Sequence, residues 1–385
     1  MKLKYKDSKL TQVQADFRNY YNTKLKNDYV KLEGERGKYL KKFYLYLALS
    51  VVIIGSYAWI DRTGVMTMRE GDIKILMTLI VVAFVVCWLP ISSYKSKTKM
   101  MVMPKILAFW KNFSLHKTGL KVTKEIIEKS ELFGNFNETE TDDNFSGTYQ
   151  GVDVCVSEQK VIYSGRKMSH THFKGVFILL RFNKKLQRKT IVRSKDFTIP
   201  GGIISNFYFL ILLLIPLVIA APFLLDCLRG KGDIGFPSMF VMLLCSFLPS
   251  LIYIAVLYFA LYHRRSKDKN KNGGKLSEVV LEDPLFRKKW DVVSSDQIEA
   301  RVVLTPRFME RIKAVKTYFH GNRIDCSFFD DKILLAVYTT KDMFETTSLF
   351  LSSLKYHKVY EVVTQMYSVF SVISEINGKK FDDPA

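Results

Sequence analysis

Residues 43–60 read FYLYLALSVVIIGSYAWI, eighteen consecutive residues without a charge. As a helix this run would be about 27 Å long, close to the thickness of the hydrocarbon core of a bilayer. Three further apolar runs follow at 75–91, 207–225 and 236–262. The four runs predict an integral membrane α-helical fold with four transmembrane helices arranged as two hairpins. The alternative interpretation is that they are buried core helices of a soluble protein.

Lys and Arg residues are unevenly distributed around these runs. Seventeen lie near the outer ends of the two hairpins, and five lie in the connections 61–74 and 229–235. Positive charge is concentrated in cytoplasmic segments, so the bias places both termini and the middle segment in the cytoplasm. We therefore expect a multi-pass protein of the cell inner (plasma) membrane, with the lipid bilayer as its first partner. The first run follows 42 residues rich in charge, so we do not expect a cleavable signal peptide.

The composition excludes several classes of protein. The chain has 385 residues and a net charge of +21, with 48% hydrophobic and 25% charged residues. These values exclude a disordered, collagen-like or disulfide-scaffold protein. The five cysteines show no CxxC spacing, so neither a zinc site nor a disulfide framework is expected. The basic stretch 263–275 has no interleaved aromatic residues, which argues against nucleic-acid binding.

The pattern along the chain divides it into five segments. An apolar stripe with spacings of four and three predicts a cytoplasmic amphipathic helix in residues 1–42, packing on its own protein or on a partner helix; its residues are Val13, Phe17, Tyr21, Leu25, Tyr29 and Leu32. The other segments are the first transmembrane hairpin at 43–93, the first part of a cytoplasmic α+β domain at 94–204, the second hairpin at 205–262, and a basic linker with the second part of that domain at 263–385.

Both parts of the α+β domain carry strand and helix signals. Alternating residues predict strands at 152–156, 173–182 and 190–193, and a hairpin at 324–337. Short helices are predicted near 284–289, 297–303 and 306–318, and a closing helix at about 355–376. We expect the two parts to pack together, because neither has enough strands for a sheet of its own.

The segment 281–312 reads LEDPLFRKKWDVVSSDQIEARVVLTPRFMERI. This segment, with Phe173–Phe177 and Met343–Glu345, resembles an uncharacterised bacterial membrane protein family, domain of unknown function number three-one-three-seven. The resemblance implies an N-terminal membrane hairpin followed by an uninterrupted cytoplasmic domain. It assigns no activity, and it implies a LemA-type membrane protein, small and with a single membrane span, as a partner. The apolar runs at 207–262 depart from this family pattern.

Six polar residues and one proline within the 281–312 segment are the candidate site residues, namely Glu282, Asp283, Asp296, Glu299, Arg301, Thr305 and Pro306. Asp283-Pro284 and Thr305-Pro306 each resemble a helix N-cap followed by proline, and Asp296 with Glu299 fits a capping box. Capping and packing is therefore the favoured interpretation of this family motif. A partner-binding groove and acid–base catalysis by paired carboxylates are the alternatives.

Two other groups of residues are candidates for binding. His170 and His172 would share one face of a strand, as a metal pair or as a polar strand edge; without nearby carboxylates we expect no metal and no cofactor. Basic residues that follow the fourth run are expected to contact anionic lipid: Arg264, Arg265, Lys267, Lys269 and Lys271.

No catalytic motif is present in the sequence. We therefore expect a non-enzymatic, membrane-anchored cytoplasmic binding or scaffolding module, with homo-oligomerisation left open. The alternative is a small transporter or channel component, suggested by the prolines in the third and fourth runs. A membrane-tethered enzyme is the third class.

Overall fold

The computed structural model describes residues 8–62, 70–110, 113–114, 120–165, 169–182, 188–195, 276–281, 283–352, 354 and 357–378. The chain divides into two compact units. The first comprises Met1–Leu120, Phe145–Val154 and Asp342–Ala385, and the second comprises Lys121–Asn144 and Cys155–Lys341.

The elements follow one another in this order: α1 (Ser8–Tyr20), a π-helical turn (Tyr21–Leu25), α2 (Lys26–Arg62), α3 (Glu70–Leu107), a 3-10 turn (Ala108–Trp110), β1 (Phe113–Ser114), α4 (Lys124–Ser130), β2 (Glu138–Tyr149), β3 (Val152–Ser164), β4 (Ser169–Arg181), β5 (Thr190–Ser194), β6 (Ser277–Glu278), α5 (Pro284–Lys289), β7 (Trp290–Ser294), α6 (Gln297–Val303), α7 (Pro306–Tyr318), β8 (Arg323–Phe329), β9 (Lys332–Tyr338) and α8 (His357–Ile376).

The first unit is built from α1, α2, α3 and α8. The six residues of the predicted apolar stripe are all buried, so the prediction that this stripe packs against protein is confirmed. Helix α2 continues through Gly34 and Gly37 into the first apolar run without interruption. The closing helix is confirmed as α8, and its Phe370 packs edge-on against Trp110 and stacks on Tyr149 with ring centroids 4.8 and 4.4 Å apart.

The second unit holds eight of the nine described strands, wholly or in their larger part, in the order β2-β3-β4-β9-β8-β5-β7-β6. In the first unit, β1 pairs with residues 146–147 of β2. The central strands β4 and β9 are antiparallel, with Val176 opposite Val337 and Leu180 opposite Ile333. Residues 176–180 and 333–337 are fully or almost fully buried, which explains their continuous apolar sequences.

Gly175 allows β4 and β9 to approach each other closely. A Cβ atom at this position would overlap the carbonyl oxygen of Val337 and lie 2.9 Å from the backbone nitrogen of Thr339. Gly175 lies between Phe173 and Phe177, whose rings stack with centroids 4.3 Å apart. Backbone atoms cannot move aside as the end of a flexible side chain can, so only glycine fits here.

The predicted fold class of four transmembrane helices is wrong. Only two helices in the described part of the chain are long and apolar enough to cross a membrane, at Ser8–Ser56 and Thr78–Trp110 by length and composition. The larger folded part is an antiparallel sheet with short helices. The predicted second hairpin at 205–262 lies outside the described residues. The sequence predicts four transmembrane helices because the two apolar runs of this segment are long and hydropathic enough to span a bilayer, and hydropathy and length are the criteria.

Replacing Gly175 with alanine should lower the free energy of unfolding by roughly 3 kcal/mol or more, because the new methyl group meets backbone atoms in the centre of the sheet. Thermal unfolding of the full chain in detergent measures this effect. The matched control is Gly34→Ala in α2, where no atom lies within 4 Å of the added Cβ. This control should be neutral or stabilising by up to about 1 kcal/mol. Equal melting temperatures for the two variants would contradict the packing argument.

Candidate functional site

The three predicted helix caps are present. Asp283 Oδ1 accepts from the backbone N–H of Leu285 at 2.8 Å, with Pro284 as the first residue of α5. Asp296 Oδ1 accepts from Ile298 and Glu299 backbone N–H groups at 2.8 and 3.2 Å at the start of α6. Thr305 Oγ1 accepts from the Phe308 N–H at 3.1 Å, with Pro306 opening α7. These side chains satisfy backbone donors that helix starts otherwise leave unpaired.

The capping box is completed differently from the prediction. In a capping box, the side chain at position 299 would accept a hydrogen bond from the backbone N–H of Asp296. Here that N–H donates instead to the Ser294 hydroxyl, at 3.1 Å. Arg301 is exposed and donates to the Val280 carbonyl oxygen at 3.4 Å. Glu282 and the predicted lipid-contacting residues lie outside the described part of the chain: Arg264, Arg265, Lys267, Lys269 and Lys271.

The apolar residues of the 281–312 segment form a core layer. Phe286 and Trp290 stack with ring centroids 4.6 Å apart, and both are buried. Lys313 Nζ lies 5.7 Å from the Phe286 ring centroid and 4.0 Å from Asp283 Oδ2, so it covers the stack and faces the α5 cap. The segment that resembles a family signature is therefore largely a packing and capping motif in this structure.

Sequence analysis missed a buried carboxylate, Asp325 on β8. Its oxygens accept from Arg323 Nε and Nη2 at 2.9 and 2.6 Å, from the Ser194 backbone N–H at 2.8 Å and from the Tyr338 hydroxyl at 3.1 Å. The Arg323 guanidinium also stacks on the Tyr338 ring, 4.9 Å from its centroid. Burial, and then the Asp325 charge, raise the pKa of Tyr338, which keeps its hydroxyl protonated as a donor.

This group joins three strands, β5, β8 and β9, at one point in the second unit. Its four donors fill the hydrogen-bonding capacity of the carboxylate, which makes a structural role the simplest explanation. The only local sequence signal is an Asp between Ile324 and Cys326, in a strand that is otherwise almost entirely buried.

His170 and His172 lie on one face of β4, as predicted. Their Nε2 atoms are 3.1 Å apart, and His172 Nε2 lies 3.0 Å from the Asn135 carbonyl oxygen. His172 Nε2 can donate to the Asn135 carbonyl oxygen or share a hydrogen bond with His170 Nε2, according to its tautomer, so the polar strand-edge interpretation accounts for the geometry.

Helices α2 and α3 pack as an antiparallel hairpin with a constant register. Lys105 Nζ lies 2.5 Å from Asp28 Oδ2, Lys97 Nζ lies 2.9 Å from Glu35, and the ring of Tyr94 lies 5.6 Å from that of Tyr39. In each pair the two residue numbers add to 132 or 133. Each step of the chain along α2 is therefore matched by one step backwards along α3.

The half of the hairpin nearer its tip carries an apolar band, which is largely exposed where its side chains are described, at 43–56, 59 and 78–91. The corresponding sequence stretches, 43–60 on α2 and 78–91 on α3, contain no acidic or basic residue. The antiparallel register puts these two stretches at the same level. Large apolar side chains in the band face outwards, for example Val52 at 66% and Trp59 at 67% exposure; the others are Tyr44, Leu45, Leu47, Leu49, Val51, Ile53, Ile80, Val81, Val82, Phe84, Val85, Trp88 and Leu89.

The two serine hydroxyls in the α2 part of the band are bonded within their own helix. Ser50 Oγ donates to the Tyr46 carbonyl oxygen at 2.8 Å, and Ser56 Oγ donates to that of Ile53 at 2.9 Å. The less exposed positions of α2 lie level with the less exposed positions of α3. Ser50 and Ala83 are one such pair, and their residue numbers also add to 133. An apolar solvent requires hydroxyls to be bonded in this way, whereas water does not.

Below the band, the base of the hairpin, near Arg36 on α2 and Lys95 on α3, is bonded to the segment that precedes α8. Lys95 Nζ lies 2.6 Å from Glu345 Oε1, and Arg36 Nη1 donates to the Leu349 carbonyl oxygen at 3.2 Å. Met343 and Phe344 are buried, and the Phe344 ring packs edge-on against Phe145 with centroids 4.7 Å apart. Met343–Glu345 therefore joins α3 to the C-terminal part of the first unit.

The capping role can be tested by substitution. Asp296→Ala and Thr305→Ala should each lower the free energy of unfolding by about 0.5–2 kcal/mol, because each removes an acceptor for N–H groups at a helix start. Asp296→Asn and Thr305→Ser are the matched controls and should be nearly neutral, since Asn and Ser also cap helices. Thermal unfolding in detergent checks the four variants. Loss of a cellular phenotype in Asp296→Asn at unchanged stability would instead indicate catalysis.

The buried Asp325 should be far more sensitive. Asp325→Asn should lower the free energy of unfolding by roughly 2–4 kcal/mol, because it leaves the Arg323 charge without its carboxylate. Tyr338→Phe removes a single hydrogen bond and should cost about 1 kcal/mol. The control Asp291→Asn affects a more exposed ion pair with Lys195 and should cost at most about 1 kcal/mol. A denaturant titration that ranks these variants in another order would refute the assignment of Asp325 as the main polar support of the sheet.

Comparison with known proteins gives a family but no activity. No curated protein matches the chain. Among solved structures, the crystal structure of the mycobacterial trehalose monomycolate transport factor A, TtfA, aligns at 9% sequence identity over 61% of this chain and 75% of that chain, with a TM-score of 0.22, which does not establish a shared fold. The model of the family described as "Protein of unknown function (DUF3137)" matches residues 171–378, more than half of the chain. The chain therefore belongs to the DUF3137 family.

Proposed function

We propose that this protein is a membrane-anchored, non-enzymatic binding or scaffolding module, held in the bilayer by the hairpin of α2 and α3. The observation that carries the proposal is the exposed apolar band at matching levels of both helices. An apolar surface of this length is costly in water, and the eighteen residues of the α2 stretch, about 27 Å as a helix, are near the length that a bilayer core requires. The hydroxyls bonded within their own helices support the same conclusion.

Aromatic residues at the two ends of the band support a spanning orientation. Tyr44 and Trp88 lie at the end nearer the base and Trp59 lies near the tip, all three exposed. The fifteen helical steps from Tyr44 to Trp59 correspond to about 22 Å along a helix. Tyr and Trp concentrate at the two interfaces of a membrane, where their rings lie at the level of the headgroups.

The charge distribution supports placing the base of the hairpin in the cytoplasm. Nine Lys and Arg residues flank the base side of the two apolar runs: Lys31, Arg36, Lys38, Lys41, Lys42, Lys95, Lys97, Lys99 and Lys105. Only three lie in the connection at the tip, Arg62, Arg69 and Lys74. The inner membrane with a cytoplasmic N-terminus is the location that this bias favours.

The binding part of the proposal rests on the second unit. In the 281–312 segment, Asp283, Asp296 and Thr305 serve as helix caps, which supports a scaffold rather than a catalytic centre. The exposed side chains of Leu285, Ile298 and Val302 offer an apolar contact surface on α5 and α6. The sequence resemblance implies a LemA-type membrane protein as the partner.

Site-directed cysteine labelling tests the anchor and its orientation. In intact cells an impermeant thiol reagent should label Thr67→Cys in the tip connection, but should label the exposed Met100→Cys near the base only after permeabilisation. Native Cys155 and Cys326 are poor reporters, because burial raises the pKa of the Cys155 thiol to about 12 and that of Cys326 well above its usual range. The full chain without Cys87, Cys227 and Cys245 is therefore the background.

Two results would contradict the proposal. Labelling of Met100→Cys before permeabilisation would reverse the orientation. Release of the full chain from membranes by alkaline carbonate would show that the hairpin does not span the bilayer.

A further inference from the structure

A short turn at Ser348–Leu351, with Leu354 three residues further on, exposes large apolar side chains next to the apolar band. Ser348 and Leu351 form an isolated bridge that closes the turn, and the Leu349 side chain is fully buried beneath it. The neighbouring side chains face outwards, with Phe350 52%, Leu351 46% and Leu354 49% exposed. A turn with one buried anchor and three exposed apolar residues has a cost in water unless another surface covers it.

The position of this turn is fixed against α2. The ring of Phe350 packs edge-on against Phe43, the first residue of the apolar band, with centroids 5.1 Å apart. About two helical turns below Phe43, Arg36 donates to the Leu349 carbonyl oxygen at 3.2 Å. On the α3 side, Lys95 and Glu345 hold the preceding segment at 2.6 Å. The exposed apolar residues of the turn therefore continue the band at its base end.

Charge surrounds this point on α2. Lys38, Lys41 and Lys42 are all exposed within one and a half helical turns of Phe43. Residues of this kind attract anionic headgroups, which lie directly outside the hydrocarbon core. Apolar side chains at the edge of the band with cations just below it match the chemistry of the bilayer interface: acyl chains first, then negative charge.

We propose that Phe350, Leu351 and Leu354 insert into the interfacial region of the leaflet at the base of the hairpin, while Lys41 and Lys42 contact anionic headgroups. This inference rests on the proposed membrane anchor and adds a second, non-helical contact to it. The turn limits how deep the hairpin lies, and it joins the segment before α8 to the membrane surface. A lipid interface is favoured over a protein partner because the apolar surface is continuous with the band and ends in positive charge.

Depth-dependent fluorescence quenching tests this insertion. The full chain, with Cys87, Cys227 and Cys245 replaced by alanine, is labelled with the environment-sensitive fluorophore NBD at Leu351→Cys and reconstituted in vesicles of phosphatidylcholine with phosphatidylglycerol. Val52→Cys in the band is the positive control. Val30→Cys is the matched negative control, because Val30 is also exposed on α2 and lies thirteen residues, about 20 Å, below Phe43. Thermal unfolding of each variant checks that the chain is intact.

At Leu351 the emission should shift to shorter wavelength than at Val30, and a lipid spin-labelled near the headgroup should quench it about twofold more than one labelled deep in the acyl chain. At Val52 the deep label should quench more. Removing phosphatidylglycerol should weaken the quenching at Leu351 and leave that at Val52 unchanged. A second position, Leu354→Cys, should behave as Leu351 does.

Other outcomes separate the two proposals. Lipid quenching at Val52, with an emission at Leu351 identical to that at Val30, would overturn the interfacial turn and leave the anchor in place. A shifted emission at Leu351 without lipid quenching would also overturn it, since a protein surface would then cover the turn. Absence of lipid quenching at Val52 as well would overturn the anchor itself.

Discussion

The antiparallel register between α2 and α3 is the constraint on which the first unit depends. Asp28 with Lys105 and Glu35 with Lys97 fix that register near the N-terminal core. Because both helices rise by the same amount per residue, the register set there also aligns the two apolar stretches further along. A slip of one helical turn would bring Lys95 from the level of Gly37 and Lys38 to that of Lys41 and Lys42, and would separate Lys97 from Glu35. Polar contacts at one end therefore determine whether the apolar end forms a continuous band.

Like the first unit, the second unit is stabilised by buried apolar side chains together with a few polar groups in fixed positions. Asp325 gathers donors from three strands, and Gly175 lets the two central strands approach. The segment 281–312 adds caps that begin three short helices, and its aromatic residues fill the layer beneath them. The residues that resemble the DUF3137 signature thus have clear structural tasks, and their polar atoms are mostly used within the fold.

Local features could be predicted from the sequence, and long-range ones could not. The stripe from Val13 to Leu32, the three caps and the bounds of α5, α6 and α7 follow from spacing and from residue types with strong positional preferences. Strand β2 is largely polar, and β7 lies between two short helices, so neither gives a clear alternating pattern. The Asp325 group combines residues from positions 194 to 338, and no local pattern indicates such a pairing. The exposed side chains of Phe350, Leu351 and Leu354 belong to what looks in the sequence like an ordinary apolar segment, and only their burial distinguishes them.

Helix α2 is continuous over 37 residues, about 55 Å, from the buried core of the first unit to the end of the apolar band. A helix without a break has no hinge, so its two halves must rotate together. Bilayers differ in thickness, and a spanning helix adapts by changing its tilt. With the proposed membrane anchor, any such change of tilt would turn residues 26–42 through the same angle, together with the ion pairs that they hold. A change in bilayer thickness would therefore rotate the part of α2 that lies in the core of the first unit, because the helix moves as one rigid rod.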